Sequence, residues 1–182
     1  MTKVYVFFLD SSASKLLVGT GGTVGRNASP RVGYHLPGGS VEVNKKRLAS
    51  AEETTLYILY DNIVDEVQQE FGSLAETLFS DAQNITKYFY RTLTYAQNGK
   101  QVSELVYFFR FNINANFAEG YPKLVTGGKE DPRDSHFKSV EVLSLSEASE
   151  KFSKHWQTSW FKEGVDILIQ QLNDEPRSSS SS

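Results

Sequence analysis

The sequence predicts an α+β fold, with helices packed on a mixed sheet. Three observations carry this. Val4–Leu9 and Lys15–Val18 are short runs of β-branched, aromatic and aliphatic residues separated by a turn. Ile85–Tyr95 and Gln101–Asn112 form a second such pair around an Asn98-Gly99 turn signal. Helical spacing appears elsewhere, in the stretch that Gly72 ends and at Trp156–Leu172.

The elements follow in order. Val4–Leu9 reads as a first strand, Asp10–Ser14 as a turn and Lys15–Val18 as the returning strand. Gly19–Pro30, with four glycines, Asn27 and Pro30, reads as loop. Val32–Leu36 is a short segment entering a Gly38-Gly39 turn. Asn44–Arg47 is polar and basic and opens a loop. Ala49–Tyr60 holds good helix formers, and Ile63, Val67 and Phe71 continue an apolar face at four-residue spacing. Asp61 or Asn62 can cap a separate final helix, or one helix runs from about Ser50 to Glu70. Gly72 ends it in either case. Ala115–Asp134 is a long loop with Gly127-Gly128 and two prolines, and loops of that length are more often functional than incidental. Phe137–Leu145 reads as a strand, Ser146 as the cap of a short helix, and Trp156–Leu172 as the last helix, with Trp160, Val165, Leu168 and Leu172 on one face. Residues 1–174 form one domain in this reading, and residues 175–182 a disordered serine-rich tail.

Composition narrows the function. A chain of 182 residues suits one domain with a sizeable core. A net charge of −3 gives no electrostatic case for binding a nucleic-acid backbone. With no cysteine, disulfides, thiolate chemistry and cysteine-ligated zinc are excluded, and a reducing cytoplasm fits. No apolar run approaches the roughly 18 residues of a membrane span, and no convincing cleavage site follows the first apolar run. His35, His136 and His155 match no zinc spacing. Gly19–Gly25 lacks the Lys-Ser/Thr ending of a phosphate loop, and no Gly-any-Ser-any-Gly nucleophile motif occurs.

The chemistry gathers in two pieces. Leu36-Pro37-Gly38-Gly39-Ser40-Val41-Glu42 is a glycine turn that can bring backbone carbonyls close to a ligand. Val64-Asp65-Glu66-Val67-Gln68-Gln69-Glu70-Phe71-Gly72 reads as a helix end. Glu66 and Glu70 are four apart and share a helix face. Two carboxylates beside a glycine turn suit an oxygen-ligated Mg²⁺.

These pieces resemble the Nudix box: Gly, five residues, Glu, seven residues, then Arg-Glu-aliphatic-any-Glu-Glu-any-Gly. Gly39 matches the first glycine, and Glu66, Val67, Glu70 and Gly72 match the helix part. Asp65 stands where the family has Arg, Gln69 where it has the first Glu of the pair, and Lys45 where it has the first box Glu. The span from Gly39 to Glu66 is about twelve residues longer than the family's, which makes Asn44–Asp61 an insertion. The element order is also similar over roughly residues 3–172.

The resemblance implies an α/β/α sandwich with a mixed central sheet. It implies a Mg²⁺-dependent hydrolase, with Mn²⁺ as the other candidate ion, that cleaves the pyrophosphate of a nucleoside diphosphate linked to another moiety. Glu66 and Glu70 would be the catalytic pair. Metal ligands would come from Gly39, Glu66, Gln69 and Glu70. Arg31, His35, Gly38 and Gly39 would meet the substrate. A charge-reversed Lys45–Asp65 pair could keep the family's Arg–Glu brace. Glu42, Glu104, Glu119 and Glu130 are candidates for a further acid. The alternative is a catalytically silent Nudix-fold module that binds a nucleotide or a protein, and the changes at Lys45, Asp65 and Gln69 favour it. A third reading, an unrelated domain with an incidental glycine turn, requires Gly39 and Glu66 to lie far apart. The expected partner is a nucleotide-type small molecule, with no nucleic acid and no membrane. Aromatic richness is compatible with a homodimer interface and equally with a core.

Overall fold

The computed structural model describes residues 2–24, 29–41, 51–81, 87–115, 117, 136–152 and 156–175. In chain order the strands and helices are β1 (Thr2–Leu9), β2 (Lys15–Thr20), β3 (Thr23–Val24), β4 (Ser29–Pro30), β5 (Gly38–Ser40), α1 (Ala51–Phe71), α2 (Leu74–Asp81), β6 (Lys87–Gln97), β7 (Lys100–Asn112), β8 (Ser139–Ser144), α3 (Leu145–Lys151) and α4 (Trp156–Asp174).

The main sheet runs β6-β7-β1-β2-β8, with β5 also paired to β1. The pairing of β1 with β7 is parallel, and the β6–β7, β1–β2, β1–β5 and β2–β8 pairings are antiparallel. The sheet is therefore mixed.

Every residue of β1 from Val4 to Leu9 is buried, because both faces of the sheet are covered. Val4, Val6 and Phe8 pack with Leu59, Ile63, Val67 and Phe71 of α1 and with Leu74 and Leu78 of α2. On the other face Tyr5, Phe7 and Leu9 pack with Ala148 of α3, Phe152, and Trp160, Phe161, Val165 and Leu168 of α4. Alternation along one strand thus feeds two cores, and the expected α/β/α sandwich is present.

Several elements differ from expectation. Helix α1 is a single helix of 21 residues with no break at Asp61 or Asn62. The Asn62 side chain donates to the Ile58 carbonyl one turn back, at 2.8 Å, so it is helix interior and not a cap. Gly72 ends the helix at φ 57°.

Helix α2 has no counterpart in the sequence reading. Its signal is short, the apolar pairs Leu74/Leu78 and Ala75/Phe79 at helical spacing. The segment read as loop after Gly19 contains a two-residue hairpin, β3 with β4. Ser144 and not Ser146 caps α3. Its hydroxyl accepts from the Glu147 N–H at 3.2 Å, the geometry of an N-cap three residues upstream. Residues 176–182 of the expected tail, most of the 115–134 loop, Glu42, Lys45, Glu119, Glu130 and His155 lie outside the described residues, whereas Glu175 pairs with Arg110 at 2.8 Å.

Candidate functional site

The glycine turn and the helix end meet. Strand β5 pairs with β1 in the register Lys3–Ser40, Val4–Gly39, Tyr5–Gly38. A side chain on Gly38 would meet the Val4 carbonyl oxygen at 2.0 Å, and its φ of +144° is strained for any other residue. A Cβ on Gly39 would lie 2.8 Å from the Glu66 carboxylate. Two glycines are thus required for different reasons: the first lets the strand lie against β1, and the second leaves room for a carboxylate on the backbone. Gly39 and Glu66 are neighbours, which excludes the reading of an incidental turn.

The register also decides which carbonyls are turned outward. The Val6 N–H donates to the Pro37 carbonyl and the Val41 N–H to the Thr2 carbonyl. Hydrogen-bonded pairs alternate in antiparallel ladders, so Val4 and Gly39 form the pair between them. The Gly39 carbonyl therefore faces β1. The outward carbonyls belong to Gly38 and Ser40, while the Gly39 carbonyl, the expected metal ligand, is turned towards the ladder.

One turn beyond Glu66, Glu70 is buried and fully engaged. Its Oε1 accepts the Gly38 N–H at 2.6 Å, and its Oε2 lies 2.7 Å from Nη2 of Arg31. Arg31 also donates through Nη1 to the Gly21 carbonyl at 2.9 Å, and its guanidinium stacks 4.5 Å from the Phe137 ring centroid. The Glu70 carbonyl accepts the Phe137 N–H at 2.9 Å. Arg31, Glu70, Gly38 and Phe137 thus tie the upstream loop, the helix end and the turn together. Burial raises the Glu70 carboxyl above its usual range. Arg31 and the Gly38 N–H oppose that shift, and Glu66 adds to it.

The two side-chain candidates for substrate contact, Arg31 and His35, are buried. Arg31 is spent on Glu70, and pairing of a buried charge is what makes its burial tolerable. His35 is buried, bridged to Gly19, with Nδ1 2.7 Å from the Leu36 carbonyl and its ring edge-on to Phe161 at 4.6 Å. It packs as a core histidine, so both side chains expected to meet a phosphate are buried. Gln69 is half-buried on α1, and Asp65 is exposed.

Glu104, the described candidate for a further acid, points to the other face of the sheet. There its Oε1 accepts from the Tyr95 hydroxyl at 3.1 Å. No group of three or more His, Asp or Glu residues arranged to hold a metal occurs among the described residues.

No family model and no curated protein matches this chain. Two solved structures are similar to it. A C. elegans Ap4A hydrolase in a binary complex is 12% identical, covers 94% of this chain and 97% of its own, and has a TM-score of 0.47. A mutant of the Bacillus subtilis pyrophosphohydrolase BsRppH is 16% identical, covers 94% of this chain and 80% of its own, and has a TM-score of 0.42. In this chain itself, a mixed sheet lies between two helical layers, and a glycine turn lies against the end of the following helix. That is the architecture the resemblance to Nudix implies.

Proposed function

We propose that this chain is a divergent Nudix hydrolase that cleaves the pyrophosphate bond of a nucleoside diphosphate linked to another moiety. One observation carries the reading. The Glu66 carboxylate lies against the backbone of Gly39, in space that only a glycine leaves open.

The donors near this point are oxygen, the Glu66 carboxylate and the outward carbonyls of Gly38 and Ser40, and Gln69, three residues further along α1, would add an amide oxygen. Hard oxygen donors with little total charge fit Mg²⁺, or Mn²⁺, that keeps several of its waters. Such an ion would polarise the pyrophosphate and ease deprotonation of a water. Glu66 would hold the ion or take the proton from the attacking water. Glu70 would act one step removed, by fixing the Gly38 N–H and the turn. This divides roles between two carboxylates that the resemblance treats alike.

The test is Mg²⁺-dependent phosphate release from nucleotide sugars, dinucleoside polyphosphates, ADP-ribose and nucleoside triphosphates. Glu66→Gln should lower turnover about 100-fold or more, the range for loss of a proton acceptor. Glu104→Gln, on the other face, should leave it unchanged. Turnover that survives Glu66→Gln would sink this assignment.

The second reading is a silent Nudix-fold module that binds a nucleotide or a protein. It is favoured by the engagement of both Glu70 oxygens, one by the Gly38 N–H and the other by Arg31. Affinity for the same panel without turnover would select it.

A further inference from the structure

Strand β6 ends the sheet with part of its backbone turned outward. It runs for 11 residues and pairs with β7 without a bulge, from Lys87–Arg110 to Gln97–Lys100. Among the described residues no strand lies on its other side. The two-residue turn at Asn98-Gly99, with both residues at positive φ, makes Gln97 and Lys100 a hydrogen-bonded pair. Bonded pairs alternate from there, so Lys87, Phe89, Arg91, Leu93 and Tyr95 bond to β7. The backbone N–H and C=O groups of Tyr88, Tyr90, Thr92, Thr94 and Ala96 therefore point away from the sheet. Consistent with this, the Tyr90 carbonyl accepts from the Arg91 guanidinium at 2.8 Å. The side chains of these five residues are exposed as well, Tyr90 by 55% and Tyr88 by 47%.

Sheets blunt such edges with proline, bulges, charge or short strands. Between Tyr88 and Ala96 there is no proline, no glycine and no charge except Arg91. Strand β8, at the opposite end of the sheet, has 6 residues and carries Glu141 among them. The Arg91 side chain turns over the Phe89 ring, 5.9 Å from its centroid. It lines a groove of about 500 Å³ together with Glu163 and Asp166 of α4, whose carboxylates offset its charge.

We propose that a second copy of this chain pairs with β6, antiparallel, about a two-fold axis at Thr92. In a two-fold pairing the same strand serves both copies, and outward residues must meet outward residues. An axis at Thr92 matches all of them. Thr92 meets its own copy, Tyr90 meets the partner's Thr94, and Tyr88 meets the partner's Ala96. Each exposed tyrosine thus lies opposite a small residue, which leaves space for its ring across the strand. Arg91 lies opposite the partner's Leu93. An axis at Arg91 sets two guanidiniums directly opposite each other, which is destabilising, and leaves Ala96 without a strand partner. An axis at Leu93 leaves Tyr88 opposite a turn. The strand is self-complementary in one register, and that register uses its whole outward edge. The competing use of Tyr88 and Tyr90 is stabilisation of the β6–β7 hairpin within one copy.

Sedimentation equilibrium of the full chain at micromolar concentration should give twice the chain mass of 20.4 kDa. Thr92→Lys sets two ammonium groups opposite each other at the axis. It should sediment at 20.4 kDa with the circular dichroism of the parent. The chain has no cysteine, so a single introduced thiol reports the register. Under oxidant Thr92→Cys should cross-link to a dimer on a non-reducing gel, because directly opposite Cα atoms about 5.5 Å apart are within disulfide reach. Thr94→Cys should not, because its two copies are offset by four residues, about 13 Å along the strand. A monomeric parent overturns the proposal, and so does a mass above the dimer. A dimer that persists in folded Thr92→Lys overturns it too. So does a Thr92→Cys that cross-links no better than Thr94→Cys, and that comparison decides by itself if Thr92→Lys fails to fold.

Discussion

Arg31 and Glu70 form a buried ion pair of 2.7 Å that joins the loop before the glycine turn to the end of α1. The two residues are 39 positions apart. Where the family pattern braces its loop through an Arg within the helix, this chain has Asp65, exposed to solvent. The cation that holds the turn and the helix together comes from upstream.

Removing one partner of a buried pair strands the other charge. Arg31→Ala should therefore destabilise the fold by about 3–5 kcal/mol, seen as a lower urea midpoint with an unchanged slope. Arg31→Met with Glu70→Leu, which removes both charges, should recover most of that stability. It should not recover hydrolysis, because the Gly38 N–H loses its anchor.

The two glycines of the turn should fail differently. Gly38→Ala places a methyl against backbone, 2.0 Å from the Val4 carbonyl oxygen, so the strand itself must move. Strain of that kind at positive φ costs about 1–3 kcal/mol. In Gly39→Ala the obstacle is the far end of the Glu66 side chain, which can swing away. The melting temperature should then change little while turnover falls with that of Glu66→Gln. Thermal unfolding and phosphate release on the same samples check both.

Tyrosine ionisation should couple to stability at high pH. Burial raises the Tyr5 hydroxyl far above its usual pKa of about 10, with Glu70, Glu104 and Glu66 adding to the shift and Arg31 opposing it. Burial also raises Tyr107, helped by Tyr90 and Tyr88. The folded chain then keeps protons that the unfolded chain gives up. Stability is full below about pH 10 and declines as pH rises above it. Ultraviolet titration should show the Tyr5 ionisation only together with unfolding, and Tyr5→Phe should flatten the alkaline decline.

The cap of α3 gives a sharp local test. Ser144→Ala should cost about 1 kcal/mol, the usual value of an N-cap hydroxyl, and Ser146→Ala close to nothing. Equal losses in the two variants, measured by chemical denaturation, would count against the assignment of the cap.

What could be read from the sequence was what short-range physics sets. The Asn98-Gly99 turn has both residues at positive φ, 50° and 75°, and its strands pair in phase from Gln97–Lys100 outward. Unbroken apolar residues from Val4 to Leu9 match a strand covered on both faces. The cap of α3 was missed by two residues because Ser144 and Ser146 both satisfy the pattern. Helix α2 was missed because eight residues offer only two turns of periodicity.

The site was legible in half. Glu66 and Glu70 on one helix face followed from spacing, and their approach to the glycine turn followed from the family pattern. The different fates of the two carboxylates did not. That difference is set by Arg31, whose partner is chosen by the tertiary fold. The outward carbonyls depend on strand register, which composition does not reveal.

Strand β1 has a bearing on how the chain is made. From Thr2 opposite Leu105 to Leu9 opposite Asn112, its parallel partner follows about a hundred residues later. Of the strands in this sheet, the one made first is thus its centre. It waits for about a hundred further residues before its parallel neighbour exists, and contacts so distant along the chain form slowly. Until then it is an adhesive strand with an open edge. The early, short-range hairpin with β2 and the pairing with β5 are the contacts within reach that can occupy one side of it during synthesis.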